Sequence, residues 1–370
     1  MVDEMQYGTS AKTSADSSGI PVLRMGNIKA GGLVLDSLKY LPIDHDEFPA
    51  LFLRDGDILF NRTNSAELVG KTAVYRGNPS PCSCASYLIR ARLKQGYVPE
   101  FLAYYINSTF GRAWIRSVVS QQVGQANVNG TKLKALSVPV PNEGEQRRIV
   151  AEIEKQFTRL EAGVTALRRV QANLKRYRGA VLKAACEGKL VEGDRTQWQK
   201  ERLGQLVTIR YGKMLPTKEF SESGFPVFGA NGIIGYHTQY LYEAEQVLIS
   251  CRGAHSGKLN LSPPKCYITN NSLVLEMPER SRVEKRFLFY VLQTADKSRL
   301  VTGSAQPQVT INNADVLDVP VPSLAEQTRI VAEVERRLSV VEELEAVVSA
   351  NLQRATRLRQ SILRVAFAPN

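Results

Sequence analysis

Polar side chains of a few types recur at matched places in the two halves of this 370-residue chain. Arginine and lysine can donate hydrogen bonds to guanine, asparagine and glutamine can bond adenine in two places, and all four can also hold phosphates. Each residue alone is equally well explained as a solvated surface group, so the paired placement is what favours a surface that reads nucleic acid. The candidates in the first half are Arg24, Asn27, Lys29, Arg62, Asn64, Lys71, Gln125 and Asn127, and those in the second half are Lys213, Asn231, Arg252, His255, Lys258, Asn271, Gln306 and Gln308.

Catalytic signatures are scarce in the same sequence. It contains no G-x-x-x-x-G-K-[ST] loop, and the glycines of residues 229–235 do not spell a dinucleotide-binding pattern, so we interpret them as a turn. The Asn/Asp-Pro-Pro-aromatic string with which amino-methyltransferases hold a base is absent. A nuclease needs clustered carboxylates for Mg²⁺, and we interpret the Glu187-Gly188-Lys189 string as the turn at the end of a helix instead. We therefore expect no catalytic residue, and we favour a reader or a scaffold over an enzyme.

The charge of the chain indicates which partners suit it. Lysine and arginine outnumber acidic residues by 48 to 36, which gives a net charge of +12 and a pI near 9.5. A basic balance favours polyanions, of which nucleic acid is the commonest, although many proteins are mildly basic. Part of the excess lies in residues 147–178, where arginine and lysine are frequent.

The five cysteines and three histidines predict no metal site. An odd number of cysteines is typical of a reduced compartment, so we expect a cytoplasmic protein. His45, His237 and His255 do not stand at ligand spacing from the cysteines. The sequence also has no run of 18 apolar residues, so it carries no signal for a membrane span.

The most informative pattern is an internal repeat with a period of 181 residues. Val138–Pro141 and the following Glu145–Glu152 recur, with few changes, as Val319–Pro322 and Glu326–Glu333. Successive prolines favour an extended segment, and the acidic residues that follow suit the amino end of a helix. Each copy therefore marks the point where a globular domain gives way to a long helix.

Both copies lead into an apolar stripe with spacings of three, four and seven residues. Such a stripe forms one face of a helix, and its length of about 40 residues, or about 60 Å, exceeds that of most globular helices. We therefore expect the two helices to pack against each other in a seam that resembles a coiled coil. The expected seam residues are Ile153, Phe157, Leu160, Leu167, Leu174, Val334, Leu338, Val341, Val348 and Leu358.

The segments before the helices repeat more weakly. Gly19–Val22 resembles Gly224–Val227, and Asp57–Phe60 resembles Gln246–Ile249, with each of the last two runs leading to an arginine, Arg62 or Arg252. Short apolar runs and amphipathic stretches alternate, which predicts an α+β fold with two mixed domains and two long helices. The expected segments are a first domain at 1–142, a central helix at 143–192, a second domain at 193–322 and a carboxy-terminal helix at 323–370.

These strings resemble the specificity subunit of type I restriction–modification enzymes, usually called HsdS. The resemblance covers nearly the whole chain. The most specific strings on which it rests are Pro139–Pro141 with Glu145–Val150, and their second copies. Pro21–Ile28, Gly56–Arg62 and Lys183–Leu190 support it.

The resemblance implies two target-recognition domains separated by two antiparallel helices. Each domain would read one half of a bipartite, asymmetric site in double-stranded DNA. The helices would set the gap and dock two methyltransferase subunits, and restriction subunits would join them. The chain itself would carry no cofactor, because S-adenosylmethionine, ATP and Mg²⁺ would act on the partner subunits.

The first domain departs from the pattern at its start. The second domain opens with Trp198 and Leu203-Gly204 before Tyr211-Gly212, whereas only a few residues precede Tyr7-Gly8. We therefore expect roughly ten residues of the opening segment to be missing from the first domain, through a truncated start or a start assigned downstream.

Two functions of other classes stay open. The first is a nucleic-acid enzyme with an unrecognised active site, which DNA turnover by the chain alone would support. The second is a coiled-coil assembly scaffold with vestigial domains, which would require that replacing Arg62 or Arg252 leaves methylation unchanged.

Overall fold

The computed structural model describes residues 1–122, 125–193, 195–296, 300–303 and 307–368. Contacts divide the chain into two compact units, of which the first consists of Met1–Leu167 with Ala350–Asn370 and the second of Arg168–Ser349. Each unit thus contains part of both long helices. The reason is that the helix ends are built into the globular cores, as Ile153 is in the first unit and Ile330 in the second.

Besides its parts of the two long helices, the first unit consists of short strands and the short helices α1, α2 and α3. Its main sheet has the order β1-β10-β6-β8 with antiparallel neighbours. The elements are β1 (Val2–Tyr7), β2 (Ile20–Leu23), β3 (Ile28–Lys29), β4 (Gly32–Leu33), β5 (Lys39–Leu41), β6 (Ile58–Asn61), β7 (Thr63–Asn64), β8 (Thr72–Val74), β9 (Ser83–Cys84), β10 (Leu88–Leu93), α1 (Pro99–Asn107), α2 (Thr109–Val118), β11 (Ser120–Gln122), β12 (Gln125–Asn127) and α3 (Gly130–Lys134).

Strand β6 shows why a continuous apolar run forms the centre of this sheet. Ile58 and Phe60 face one apolar cluster, and Leu59 faces another on the opposite side. A strand covered on both faces needs apolar residues at successive positions rather than at alternate ones.

The second unit repeats this plan. Its main sheet, β14-β20-β17-β18, is also antiparallel throughout, and the small sheets β5-β2-β9 and β16-β15-β19 each combine one antiparallel and one parallel pair. The weak sequence repeat between Gly19–Val22 and Gly224–Val227 is confirmed, since it falls on β2 and β15. The elements are β13 (Gln199–Arg202), α5 (Leu203–Leu206), β14 (Thr208–Tyr211), β15 (Phe225–Phe228), β16 (Ile233–His237), β17 (Val247–Ser250), β18 (Leu259–Leu261), β19 (Tyr267–Ile268), β20 (Ser272–Glu276), α6 (Lys285–Gln293), α7 (Ile311–Asp315) and β21 (Asp318–Val321).

The two long helices are α4 (Glu143–Cys186) and α8 (Leu324–Ala366). In the first unit the start of α4 packs with the end of α8, and in the second unit the end of α4 packs with the start of α8, so the helices run antiparallel within each unit. Of the expected seam residues, the structure buries Ile153, Phe157, Leu174, Val334, Leu338, Val341 and Val348, and it partly buries Leu160 and Leu167.

Leu358 was expected in the seam, and this expectation is wrong, because 48% of its surface is exposed. The buried face passes one residue further on, through Arg359. The Arg359 guanidinium lies 3.8 Å from the ring centre of Phe157, and its Nη1 lies 3.3 Å from a carboxylate oxygen of Glu161. The long aliphatic stem of an arginine can fill an apolar seam while its charged group reaches a partner.

The same ion pair occurs in the second unit at positions shifted by 181. There Arg178 pairs with Glu342 at 3.3 Å and with Glu345 at 3.6 Å. Polar pairs at fixed places in a helix seam favour one register over its neighbours. The two arginines therefore favour this alignment of the helices within each unit.

A buried glutamine joins each long helix to its domain. In the first unit, Gln146 Oε1 accepts a hydrogen bond from the backbone N–H of Val98 at 2.9 Å, and its Nε2 donates to the Pro141 carbonyl at 2.9 Å. In the second unit, Gln327 accepts from the Glu284 N–H at 2.7 Å and donates to the Pro322 carbonyl at 2.8 Å. The repeated Glu-Gln string therefore fixes the helix against the segment that precedes α1 or α6.

Candidate nucleic-acid interface

In the first unit, several of the polar candidates gather around the small sheet β11-β12-β7. Strand β7 follows the buried strand β6 after a single residue, Arg62, so the domain core fixes its position. Asn127 lies opposite Thr63 and donates from Nδ2 to its hydroxyl at 2.7 Å, and Ala126 lies opposite Asn64. Gln125 is exposed at the start of β12. The structure thus brings Asn64, Gln125 and Asn127 together beside Arg62.

Arg62 is oriented by an aromatic ring. Its guanidinium lies 4.9 Å from the ring centre of Tyr7, and its Nη1 donates to the Ser86 carbonyl at 3.5 Å. The Tyr7 hydroxyl accepts from the Gly130 N–H at 2.9 Å, which holds the ring in place. A cation over an aromatic face gains about 0.5–1 kcal/mol at exposed sites. The positive charge is therefore presented in one orientation, next to the amide groups of the small sheet.

Asn27 was expected to contact nucleic acid, and the structure contradicts this. The residue is 3% exposed. Its Oδ1 accepts from the Arg24 N–H at 2.9 Å, and its Nδ2 donates to the Val34 carbonyl at 2.9 Å. Because its amide is occupied inside the loop, Asn27 shapes the loop that carries Arg24. Arg24 itself is partly buried and donates to the Ser37 carbonyl at 3.1 Å, and Lys29 is exposed on β3.

Lys71 lies beside the end of β6, where its carbonyl accepts a hydrogen bond from the Asn61 N–H at 2.9 Å. It lines a cavity of about 190 Å³ together with Tyr104, Phe157 and Arg359, near the long helices of the first unit. The structure thus places Lys71 both on the wall of this cavity and next to the end of β6, which leads to Arg62.

In the second unit, the candidates gather at the end of β17. Gln308 forms a bridge with Arg252, and the Asn271 carbonyl accepts from the Cys251 N–H at 2.9 Å. The turn that carries Asn231 is held at the same place, because the Ala230 carbonyl accepts from the hydroxyl of Ser250, the last residue of β17. Asn231, Arg252, Asn271 and Gln308 therefore share one edge of the unit.

The remaining candidates of the second unit surround this edge. His255 and Lys258 are exposed on the loop that leaves β17, and the Lys258 carbonyl accepts from the Ser250 N–H at 2.8 Å. Lys213 is exposed after β14, and its N–H donates to the Ile268 carbonyl at 2.9 Å. Gln306 lies outside the described residues.

The two arginines that the sequence paired are not structurally equivalent. Asn127 and Gln308 are 181 residues apart, and they lie opposite Thr63 and Arg252 respectively. Arg252 therefore corresponds to Thr63, one residue beyond Arg62. Since successive strand residues point to opposite faces, Arg62 is held against Tyr7 whereas Arg252 is exposed.

Exposed aromatic and aliphatic side chains accompany the polar candidates, and our sequence reasoning missed them. Tyr7 is 44% exposed and Tyr211, its counterpart in the repeat, is 43% exposed. Ile233, Ile234 and Met214 are also largely exposed in the second unit. The signal was present in the sequence, because both tyrosines precede a glycine at matched places. Apolar and aromatic groups can contact thymine methyls or stack on bases.

The described residues offer little for metal or thiolate chemistry. No three His, Cys, Asp or Glu side chains among them gather as ligands for a metal ion. Burial raises the pKa of the Cys82 and Cys84 thiols to about 12 and that of Cys266 to about 11, so these thiols stay protonated at neutral pH. Among the residues that the structure describes, no helix is both long and apolar enough to cross a membrane.

Comparison with known proteins defines the class of this chain. The family described as the type I restriction modification DNA specificity domain matches residues 5–167 and 196–346, so the chain belongs to this family. The two matched stretches correspond to the two copies of the repeat, and the resemblance stated from the sequence is confirmed.

Individual relatives are distant but extend over most of the chain. The putative type I restriction enzyme MjaX specificity subunit of Methanocaldococcus jannaschii is 23% identical, over 99% of this chain and 90% of that protein. The type I restriction enzyme StySPI specificity subunit of Salmonella potsdam is 22% identical, over 94% of this chain and 81% of that protein. A solved chain from work on complex assembly and conformational transition of the type I R-M system superposes with a TM-score of 0.78 at 21% identity, over 98% of this chain and 95% of that chain. This likeness confirms the α+β fold with two mixed domains.

Proposed function

We propose that this chain is the DNA-specificity subunit of a type I restriction–modification complex. Each unit reads one half of a bipartite, asymmetric DNA site through the polar residues gathered at one edge. The observation that carries the proposal is that one scaffold occurs twice in the chain with different side chains at equivalent places, such as Thr63 and Arg252. Two similar scaffolds with different contact residues suit two different half-sites.

The side chains at these edges match the chemistry of a duplex. Arginine and the amides of asparagine and glutamine can bond guanine and adenine edges, and the lysines neutralise phosphates. Arg252 with Gln308 in the second unit, and Arg62 with Asn64 and Asn127 in the first, are the residues we expect to contribute most.

The long helices serve in this proposal as the spacer between half-sites and as the docking site for two methyltransferase subunits. Restriction subunits join the same complex. Methyl transfer from S-adenosylmethionine, and cleavage that uses ATP and Mg²⁺, take place on those partners, so this chain works without catalysis or a cofactor of its own. We place the complex in the cytoplasm, where the five free cysteines would stay reduced.

Selection of duplexes from a random library by the complex of this chain with its methyltransferase tests the proposal. We expect one split motif, and affinity that falls steeply with salt because phosphate contacts release counterions. Arg252→Ala should relax the preference in one half-site only, because a good bidentate contact discriminates by about 1–3 kcal/mol. Arg280→Ala is the matched control, since Arg280 is exposed beyond the other end of β20. Equal binding to all duplexes would contradict the proposal.

A further inference from the structure

Two neighbouring isoleucines on the β15–β16 hairpin of the second unit are exposed, Ile233 by 55% and Ile234 by 53% of its surface. Successive side chains of a regular strand point to opposite faces. Here the register shifts between Val227 and Phe228, so Ile234 is an extra residue that forms a β-bulge. A bulge changes the direction of a side chain, and at this one both isoleucines reach the surface.

The turn before the isoleucines is fixed to the main sheet of the unit. The Gly229 carbonyl accepts a hydrogen bond from the Ser272 hydroxyl at 2.8 Å. The Ala230 carbonyl accepts one from the Ser250 hydroxyl. Both serines are fully buried, and they pair with each other in β20 and β17. The hairpin is therefore attached at the edge of the unit that carries Arg252.

The side chain of Ile234 is restricted before any ligand binds. A Cβ added at Gly229 would lie 2.8 Å from Ile234 Cγ2, so one side of this isoleucine rests on the glycine backbone. Isoleucine also branches at Cβ, which limits rotation about χ1. A side chain that is already restricted loses little conformational entropy on binding. The hairpin thus presents a rigid apolar surface next to Asn231, which is exposed in the same turn.

The equivalent strands of the first unit carry no such pair. Tyr40 of β5 and Tyr236 of β16 each pair with the proline of the neighbouring strand, β2 or β15, so these tyrosines are equivalent. Two residues before them stand Leu38 and Ile234. Leu38 is partly buried and packs on an apolar cluster of its own domain. The exposed isoleucines are therefore particular to the second unit and are not required by the shared scaffold.

The surroundings of the isoleucines suit the major groove of a DNA duplex. Strand β16 is an outer strand of its small sheet, and the major groove is wide enough for a pair of strands. Lys213 is exposed beyond the opposite outer strand, β19, where its N–H donates to the Ile268 carbonyl at 2.9 Å. A lysine beside the strands can hold a phosphate while the strand side chains face the bases.

Thymine is distinguished in the major groove by its methyl group, which apolar side chains contact. Isoleucine has no hydrogen-bonding side-chain atom, so apolar contact is its means of telling one base edge from another. We propose that Ile233 and Ile234 are specificity-determining residues that contact thymine methyl groups in the half-site of the second unit. Asn231 in the same turn can bond adenine in two places. The inference rests on the proposed function and adds that this half-site contains at least one A·T pair.

Replacement of thymine by deoxyuridine tests the contact, because deoxyuridine pairs in the same way and lacks only the methyl group. The complex of the full chain with its methyltransferase is titrated, at fixed salt, with duplexes of the selected motif that carry one replacement each. The half-site of the second unit is the part of the motif that Arg252→Ala relaxes. We expect affinity to fall about fourfold at one or two positions there, the value for burying one methyl group.

Variants assign the methyl contact to the hairpin. The double variant Ile233→Ala/Ile234→Ala should bind thymine and deoxyuridine duplexes equally, because it lacks the groups that contact the methyl. The combination of base and side-chain changes isolates their interaction. Val316→Ala is the matched control, since Val316 is an aliphatic residue of the same unit, 53% exposed after α7. This control should keep the fourfold preference for thymine.

The deoxyuridine series needs only the unmodified chain, so the proposal stays falsifiable if the double variant fails to fold. Equal affinity for thymine and deoxyuridine at every position of the half-site, or a half-site without an A·T pair, would refute the methyl contact. An unchanged preference for thymine in the folded double variant would show that other residues make the contact.

Equal weakening of both kinds of duplex by the double variant would also overturn the proposal. Together with bright 2-aminopurine fluorescence in the wild-type complex, it would indicate that the isoleucines insert between base pairs instead. A complex that selects no motif at all would overturn the proposed function, and this inference with it. The two failures are therefore distinguishable.

Discussion

Replacement of Gln327 by leucine should destabilise the second unit by removing the link between α8 and its domain. The side chain is fully buried, and its amide bonds three backbone groups. Oε1 accepts from the Glu284 N–H at 2.7 Å, and Nε2 donates to the carbonyls of Pro322 and Arg282 at 2.8 and 2.9 Å. Leucine has a similar size, so Gln327→Leu removes these hydrogen bonds without opening a large cavity.

The magnitude follows from the groups left behind. A buried donor or acceptor that loses its partner costs about 1–3 kcal/mol. If water reaches one of the three backbone groups, two stay unsatisfied, which gives a loss of about 2–6 kcal/mol in the free energy of unfolding of the second unit. Gln146→Leu should have a similar effect on the first unit, because Gln146 makes the corresponding bonds to Val98 and Pro141.

Urea denaturation combined with hydrogen–deuterium exchange measures this effect unit by unit. Gln156→Leu is the control, because Gln156 Nε2 donates to Glu152 on the same helix, and such a pair should contribute below about 0.5 kcal/mol. Exchange should accelerate in β20 and α6 for Gln327→Leu, and in β10 and α1 for Gln146→Leu. If the buried and control variants lose the same stability, the glutamines do not hold the helices to the domains.

Three further predictions concern the helices and the thiols. Inserting one heptad into both long helices adds about 10 Å of length, or about three base pairs, so methylome mapping should show a longer gap between unchanged half-sites. An unchanged gap would show that the two long helices do not set the spacing between the half-sites. Phe157→Asp combined with Leu338→Asp places charges at buried positions of the helix seam, at a cost of several kcal/mol. The melting temperature and the level of methylation should therefore both fall. Full activity of this variant would show that the two residues do not lie in the seam. Cys82 and Cys84 of the folded chain should react slowly with iodoacetamide at pH 8, because the pKa of each thiol is about 12. Denaturation should restore their reactivity, and fast labelling of the native chain would refute this prediction.

The repeated features of the fold could be predicted from the sequence because they rest on local patterns. The apolar stripes of α4 and α8 and the strings before them predict helices from local sequence alone. The run Ile58–Phe60 predicts a buried strand, since it has no polar face. The repeat with a period of 181 residues then relates one unit to the other, and the structure shows the same sheet order in both.

The polar candidates were harder to place, because a polar side chain can serve the fold as well as a ligand. From the sequence, Asn27 was expected to contact DNA. In the structure its side-chain amide is hydrogen-bonded to the backbone of Arg24 and Val34 inside a loop. The pairing of Arg62 with Arg252 was wrong by one residue. A shift of one residue along a strand changes the face on which a side chain lies, and only the register between strands reveals it.

Leu358 shows the same limit for helices. Its apolar character placed it in the seam, yet the buried face passes through Arg359, whose stem packs on Phe157 while its guanidinium pairs with Glu161. A count of apolar residues does not detect an arginine in this role. The ion pair is visible only when both helices are seen together.

Genome-wide mapping of methylated bases in the native host, with and without this gene, tests the central claim most directly. We expect the loss of one motif with two fixed parts and an unspecified gap between them, and its return when the gene is restored. Restoration with Arg252→Ala should change one part of the motif and leave the other part and the gap unchanged. An identical set of methylated motifs with and without the gene would contradict the claim that this chain directs methylation.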